Sequence, residues 1–129
     1  MADVLDDLIP YAATNRGVLS QREDVHATEG RDFEYVFTAT EDGVPIDLTG
    51  CTATATVYAG VAGAELVTLT ATTGVGFIKV TGTGAQMASL AADFKSTRPC
   101  PWGCYLSLSG RTVQAWGPNT STLYINQGD

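Results

Sequence analysis

Lysine is scarce in this chain. Only Lys79 and Lys95 occur, and basic residues number 7 against 14 acidic ones, for a formal net charge of −7. No basic stripe is present to release counterions from phosphates, so a nucleic-acid partner is excluded on charge. No apolar run reaches the roughly 18–20 residues that a membrane-crossing helix requires, so no membrane partner is expected. Histidine occurs once, as His26, and any Ser-His-Asp or Cys-His site would have to be built on it. No Gly-x-Ser-x-Gly elbow accompanies it. Three cysteines, Cys51, Cys100 and Cys104, are too few for a disulfide framework. Charged residues reach only 16%, while apolar residues make up 44% of 129 positions. That balance supports one packed core and one domain. Strands are favoured over helices, which usually draw their solubility from Glu and Lys.

The acidity is concentrated. Residues 1–47 carry eleven acids against Arg16, Arg22 and Arg31, whereas residues 48–129 are net +1. The start, Met1-Ala2-Asp3-Val4-Leu5-Asp6-Asp7, is acidic where a secretory signal is basic, so synthesis in a cytoplasm without export by that route is expected. Val4, Leu5, Leu8 and Ile9 have weak helical spacing that Pro10 is expected to halt. The polar stretch Ala12–Asp24 shows no sustained period. Residues 1–24 therefore read as an extended arm, and 25–129 as the folded domain. The arm carries apolar Val4, Leu5, Leu8, Ile9, Tyr11, Val18 and Leu19 without a period to fold them onto its own domain, which marks them as partner-binding. The acids beside them would select a basic partner surface.

From residue 25 the pattern alternates with period two. Phe33, Tyr35, Phe37 and Ala39 share one face, and Cys51, Ala53, Ala55, Val57 and Ala59 alternate with Thr52, Thr54, Thr56 and Tyr58. Half-buried strands require this pattern. Glu41-Asp42-Gly43 predicts a hairpin turn, and Gly74, Gly76, Gly110 and Gly117-Pro118-Asn119 predict others. Residues 83–94 change period: Met87, Leu90, Ala91 and Phe94 form a helical stripe, and Thr83 with Gln86 has the spacing of a capping box. The expected core is Phe33 or Tyr35, Phe37, Cys51, Ala53, Ala55, Val57, Leu106, Leu108 and Leu123. A helix over 84–94 should cap one end of it.

Little in this inventory carries chemistry. Asp6-Asp7 and Glu41-Asp42 are adjacent in sequence, whereas paired catalytic carboxylates must face one cleft. Gly82-Thr83-Gly84 lacks the Gly-Lys-Ser/Thr ending of a phosphate loop. Cys100 and Cys104 lack the further donors that zinc would need, so buried reduced thiols are expected, with no metal and no cofactor. Trp102, Trp116, Tyr58, Tyr105 and Tyr124 read as core, edge or interface anchors ahead of a sugar-stacking platform. No catalytic residue emerges, and a non-enzyme is expected.

One stretch carries a resemblance. Phe33–Thr40, the Glu41-Asp42-Gly43 turn, Pro45-Ile46-Asp47-Leu48-Thr49-Gly50 and the alternating strand after it resemble the N-terminal domain of the phage baseplate upper protein family. They also resemble immunoglobulin-like proteins of tailed-phage particles. Gly103-Cys104-Tyr105 and Trp116-Gly117 fit later landmarks of that family. The likeness spans about residues 28–127, with 41–51 its most specific part. The resemblance implies an all-β, antiparallel immunoglobulin-like sandwich of about seven or eight strands, with one short helix and the arm. It implies a structural protein of a tailed-phage virion, oligomeric on the particle. With no receptor-binding region after Asp129, a head decoration or cement protein bound to the major capsid protein is expected ahead of a tail or baseplate adaptor. A carbohydrate-binding sandwich is the reading from a different class.

Overall fold

The computed structural model describes residues 4–14, 17–59, 63–91 and 98–126. They build an all-β sandwich that curls towards a barrel, with a helix against each of two parts of its wall. The elements are α1 (Val4–Thr14), β1 (Val25–Thr28), β2 (Phe33–Thr38), β3 (Thr40–Glu41), β4 (Val44–Pro45), β5 (Thr52–Tyr58), β6 (Glu65–Gly74), β7 (Phe77–Gly82), α2 (Gly84–Ala91), β8 (Arg98–Leu108), β9 (Arg111–Trp116) and β10 (Thr122–Asn126). The main sheet runs β1-β10-β8-β5-β6-β7-β2, with β9 on β8. Among the described residues, no helix is long and apolar enough to cross a membrane.

Two long strands make the sheet curl. The first half of β8 pairs with β10 through Arg98–Pro101, and its second half pairs with β5 and β9. In the same way β6 leaves β5 after Leu69 and pairs with β7 from Thr70 onward. Right-handed strand twist, accumulated along such strands, turns one sheet into two facing layers. The expected alternation is present in β5: Thr52 and Thr54 are exposed while Ala55 and Val57 are buried. Phe33, Phe37, Cys51, Leu106 and Leu123 are buried too, with Tyr35, Ala53 and Leu108 packed against them. Thr56 is also buried, on the opposite face from Ala55 and Val57.

The turns follow from local chemistry. Asp42 and Gly43, with φ of 53° and 81°, form the two-residue loop between β3 and β4 that Asp-Gly favours. Thr83 and Gln86 close the capping box on α2: Thr83 N–H donates to Gln86 Oε1 at 2.9 Å, and Gln86 N–H donates to Thr83 Oγ1 at 3.1 Å. Met87, Leu90 and Ala91 bury the inner face of this helix. Phe94, expected to extend the stripe, lies outside the described residues.

Three expectations need correction. The sheet is mixed rather than wholly antiparallel, because β1 runs parallel to β10 from Val25↔Leu123 to Thr28↔Asn126. A second helix exists, since α1 continues through Pro10. And residues 1–24 are not an extended arm over the part described. Proline inside a helix costs about 3 kcal/mol. Burial of Leu5 and Leu8 contributes roughly 1.5–3 kcal/mol each and offsets that cost. Leu5, Leu8 and Ala12 form an i, i+3, i+7 stripe that spans the proline and packs in the core, with α1 lying over β9.

Residues 17–24 then act as a strap. Val18 bridges Gln114 in parallel, Leu19 N–H donates to Gln114 O at 2.9 Å, and Ser20 N–H donates to Ala115 O at 2.8 Å. Farther along, Glu23 N–H donates to Ser121 Oγ at 2.9 Å, and Thr122 N–H donates to Asp24 Oδ1 at 2.9 Å. The strap covers the outer edge of β9, which would otherwise offer unpaired backbone groups.

Candidate functional site: a groove beside strand β2

Five aromatic rings line the inner wall behind the strap. Trp102 and Trp116 lie 4.9 Å apart between centroids; Tyr35 meets both edge-on, at 5.7 and 6.0 Å, and Phe37 lies 5.3 Å from Trp116. Phe33 meets Trp102 at 6.1 Å. Trp116 reaches this cluster through a β-bulge. Cys104 pairs with Trp116 but Tyr105 pairs with Gln114, so Ala115 is an extra residue that turns Trp116 inward. The two indoles differ in one respect. Trp102 Nε1–H donates to Glu23 O at 2.7 Å, whereas Trp116 Nε1 has no hydrogen-bond partner among the described residues.

Glu23 ties this cluster to the surface. Its carboxylate accepts from the Tyr35 hydroxyl and from Ser20 Oγ at 2.6 Å. Burial, and then the bond to Glu23, push the Tyr35 phenol well above its ordinary value, so it stays a neutral donor at physiological pH.

Outside this lock lies an open groove of about 870 Å³. One wall is the continuous run 35–40 of β2 and the residues after it. The other wall is Leu8 and Tyr11 of α1 with residues Leu19, Ser20, Gln21 and Glu23; Asp42 and Ile46 close one end. The groove exists because β1 and β2 meet near the 29–32 turn without pairing along their lengths. A smaller depression, about 390 Å³, lies at the start of α2. There Gly84 N–H already donates to Asp32 Oδ1 at 2.8 Å and the capping box takes further groups, so its donors are spent.

The residues read as partner-binding from sequence are not gathered on one free surface. Leu5, Leu8 and Val18 are buried in the chain's own core, and Val4, Ile9 and Leu19 pack against it. Tyr11 alone is exposed, at 56%. The missed signal was the 5-8-12 stripe, hidden by Pro10. The sugar-platform reading fails on placement, because Trp102 and Trp116 are both 0% exposed. Tyr124 stacks on His26 at 4.8 Å, and the Tyr105 hydroxyl accepts from Gln114 Nε2 at 3.2 Å. His26 itself is exposed on β1, with Nδ1 3.4 Å from Asn126 Oδ1.

Cys51, Cys100 and Cys104 are buried, and no disulfide joins any two of them. Burial pushes the Cys104 thiol up to about 12, against a smaller opposing effect from its bond to the Thr54 backbone; it raises Cys100 too, opposed by nearby Arg98. Among the described residues, no three His, Cys, Asp or Glu side chains are placed to hold a metal ion. No family model matches the chain, and no curated protein matches it.

Proposed function

We propose that this chain is a non-enzymatic structural protein of a tailed-phage virion, built on an immunoglobulin-like sandwich. A head decoration or cement role on coat subunits is placed ahead of a tail or baseplate adaptor. One observation carries the reading. The segment with the most specific resemblance, 41–51, forms the β3–β4 hairpin and its return, and it presents an apolar tip. Val44 is 64% exposed and Val75, in the neighbouring β6–β7 turn, is 59% exposed. The two turns are bound together: Gly76 N–H donates to Ile46 O at 2.7 Å, and Asp47 bridges Val75. Large apolar side chains held out on paired turns favour burial against another subunit. The contact thus moves from the N-terminal segment to this tip, with Tyr11 as the one exposed anchor of α1.

Quantitative mass spectrometry of purified particles from an infected host tests this. Hundreds of copies per particle indicate the head, and a dozen or fewer indicate the tail. The double substitution Val44→Asp with Val75→Asp should leave a folded protein that no longer joins the particle. Particles that lack the chain altogether would sink the proposal, and full incorporation of the double variant would remove the tip from it.

A further inference from the structure

The groove beside β2 runs along an edge of the sheet. Among the described residues β2 pairs with β7 alone, and in an antiparallel ladder every second residue turns its N–H and C=O away from its partner. Residues 35–40 all line the groove, which means that the backbone edge, and not merely one face of side chains, borders it. β2 itself ends at Thr38, and the Ala39 N–H and C=O are already bonded to Gly76 O and Ile46 N–H, so the open edge within the groove is residues 35–38, about 13 Å of strand, enough to pair with a short peptide. Edges of this kind are usually guarded by lysine, proline, a bulge or a covering segment. β9 has such a cover in the strap. β2, Phe-Glu-Tyr-Val-Phe-Thr, has no lysine, proline or register break, and Val36 is 47% exposed on it.

Charge selects the occupant. Glu23 and Asp42 lie along the groove, and among the described residues no lysine, arginine or histidine lines it. We propose that the groove takes an extended, basic segment of a partner protein, which adds as a strand to the free edge of β2. Its backbone would pair with β2. Its apolar side chains would lie on Leu8, Leu19 and Ile46, and its lysines or arginines would face Asp42 and Glu23. A second copy of this chain is disfavoured by the same charges. Pairing two β2 edges would bring Glu34, Glu23 and Asp42 of both copies together, in a protein whose net charge is −7. The proposal stands apart from the virion reading, because it concerns the chemistry of the groove whatever protein supplies the segment.

Fluorescence anisotropy with labelled, end-blocked octapeptides provides the test. One peptide alternates valine with lysine and threonine, a second replaces each lysine by glutamate, and a third carries a central proline that interrupts pairing. The chain should bind the first at least about tenfold more tightly than either of the others, with slowed amide exchange at Val36 and Thr38, whose N–H groups turn away from β7 because Ala39 N–H donates towards it to Gly76 O. Val36→Lys, which guards the edge, and Asp42→Asn, which removes a charge while tolerating the positive φ, should each weaken binding several-fold. Melting curves establish that both variants fold. Equal affinity for the lysine and glutamate peptides, binding without protection at Val36 and Thr38, or binding unchanged in Val36→Lys would overturn the proposal. So would no binding of the lysine peptide, or a dimer of the chain that Val36→Lys converts to monomer.

Discussion

Trp102 and Trp116 form a matched pair in which one hydrogen bond is the difference. Both are fully buried, touch each other and share Tyr35, and each meets one phenylalanine, Phe33 for Trp102 and Phe37 for Trp116. Replacing either with phenylalanine removes a similar volume from the same cluster, so the cavity term largely cancels between the two variants. In Trp102→Phe the Glu23 carbonyl loses the indole donor that reaches it at 2.7 Å. An acceptor left without its partner costs roughly 1–3 kcal/mol, with the lower end expected because Glu23 is only half-buried. In Trp116→Phe, by contrast, an N–H with no partner is removed, which recovers about 1–3 kcal/mol that the wild type forgoes. Trp102→Phe should therefore be less stable than Trp116→Phe by about 2 kcal/mol or more. Urea unfolding followed by circular dichroism measures this; at a typical slope the two midpoints should differ by about 1 M. Equal midpoints, or a lower midpoint for Trp116→Phe, would refute the accounting and the view that the strap is held through Trp102.

Thr83→Ala opens the capping box of α2 and should cost about 1 kcal/mol, read as a fall of a few degrees in melting temperature; no change would show that the helix is held by packing alone. Native protein should react slowly with a thiol reagent at pH 8 and release three equivalents in denaturant, since all three cysteines are buried. The raised Cys104 and Cys100 values also give a sign for alkaline stability. The unfolded chain loses these protons first, so stability is complete below the ordinary thiol range and falls as pH rises from there towards about 12. A Cys104→Ala variant should show a shallower decline, and an identical one would assign the loss to other groups such as Tyr35.

Much of the sandwich was legible because its causes are local. The β5 alternation, the Asp42-Gly43 loop and the Thr83/Gln86 box each depend on neighbours a few residues away, and each appears where the spacing puts it. What was not legible depends on distant partners. Pro10 argues against a helix until Leu5, Leu8 and Ala12 have a core to enter. Trp116 faces inward only through the bulge at Ala115, which no alternation in Thr112–Trp116 announces. The parallel pairing of β1 with β10 joins positions about a hundred residues apart. The groove was still less accessible, because it arises from two terminal strands that do not close on each other.

That parallel pairing also orders events in time. The strap needs Gln114, Ala115, Ser121 and Thr122 to bond to, and β1 needs β10. All of these are made after strands β1–β8. For most of translation the N-terminal third has no sheet to join, and Leu5 and Leu8 stay in water until β9 leaves the ribosome. Contacts this remote in sequence slow folding by delaying the return on loop closure. The eleven acids of residues 1–47 then have a use before any fold exists: they keep a waiting nascent segment dispersed.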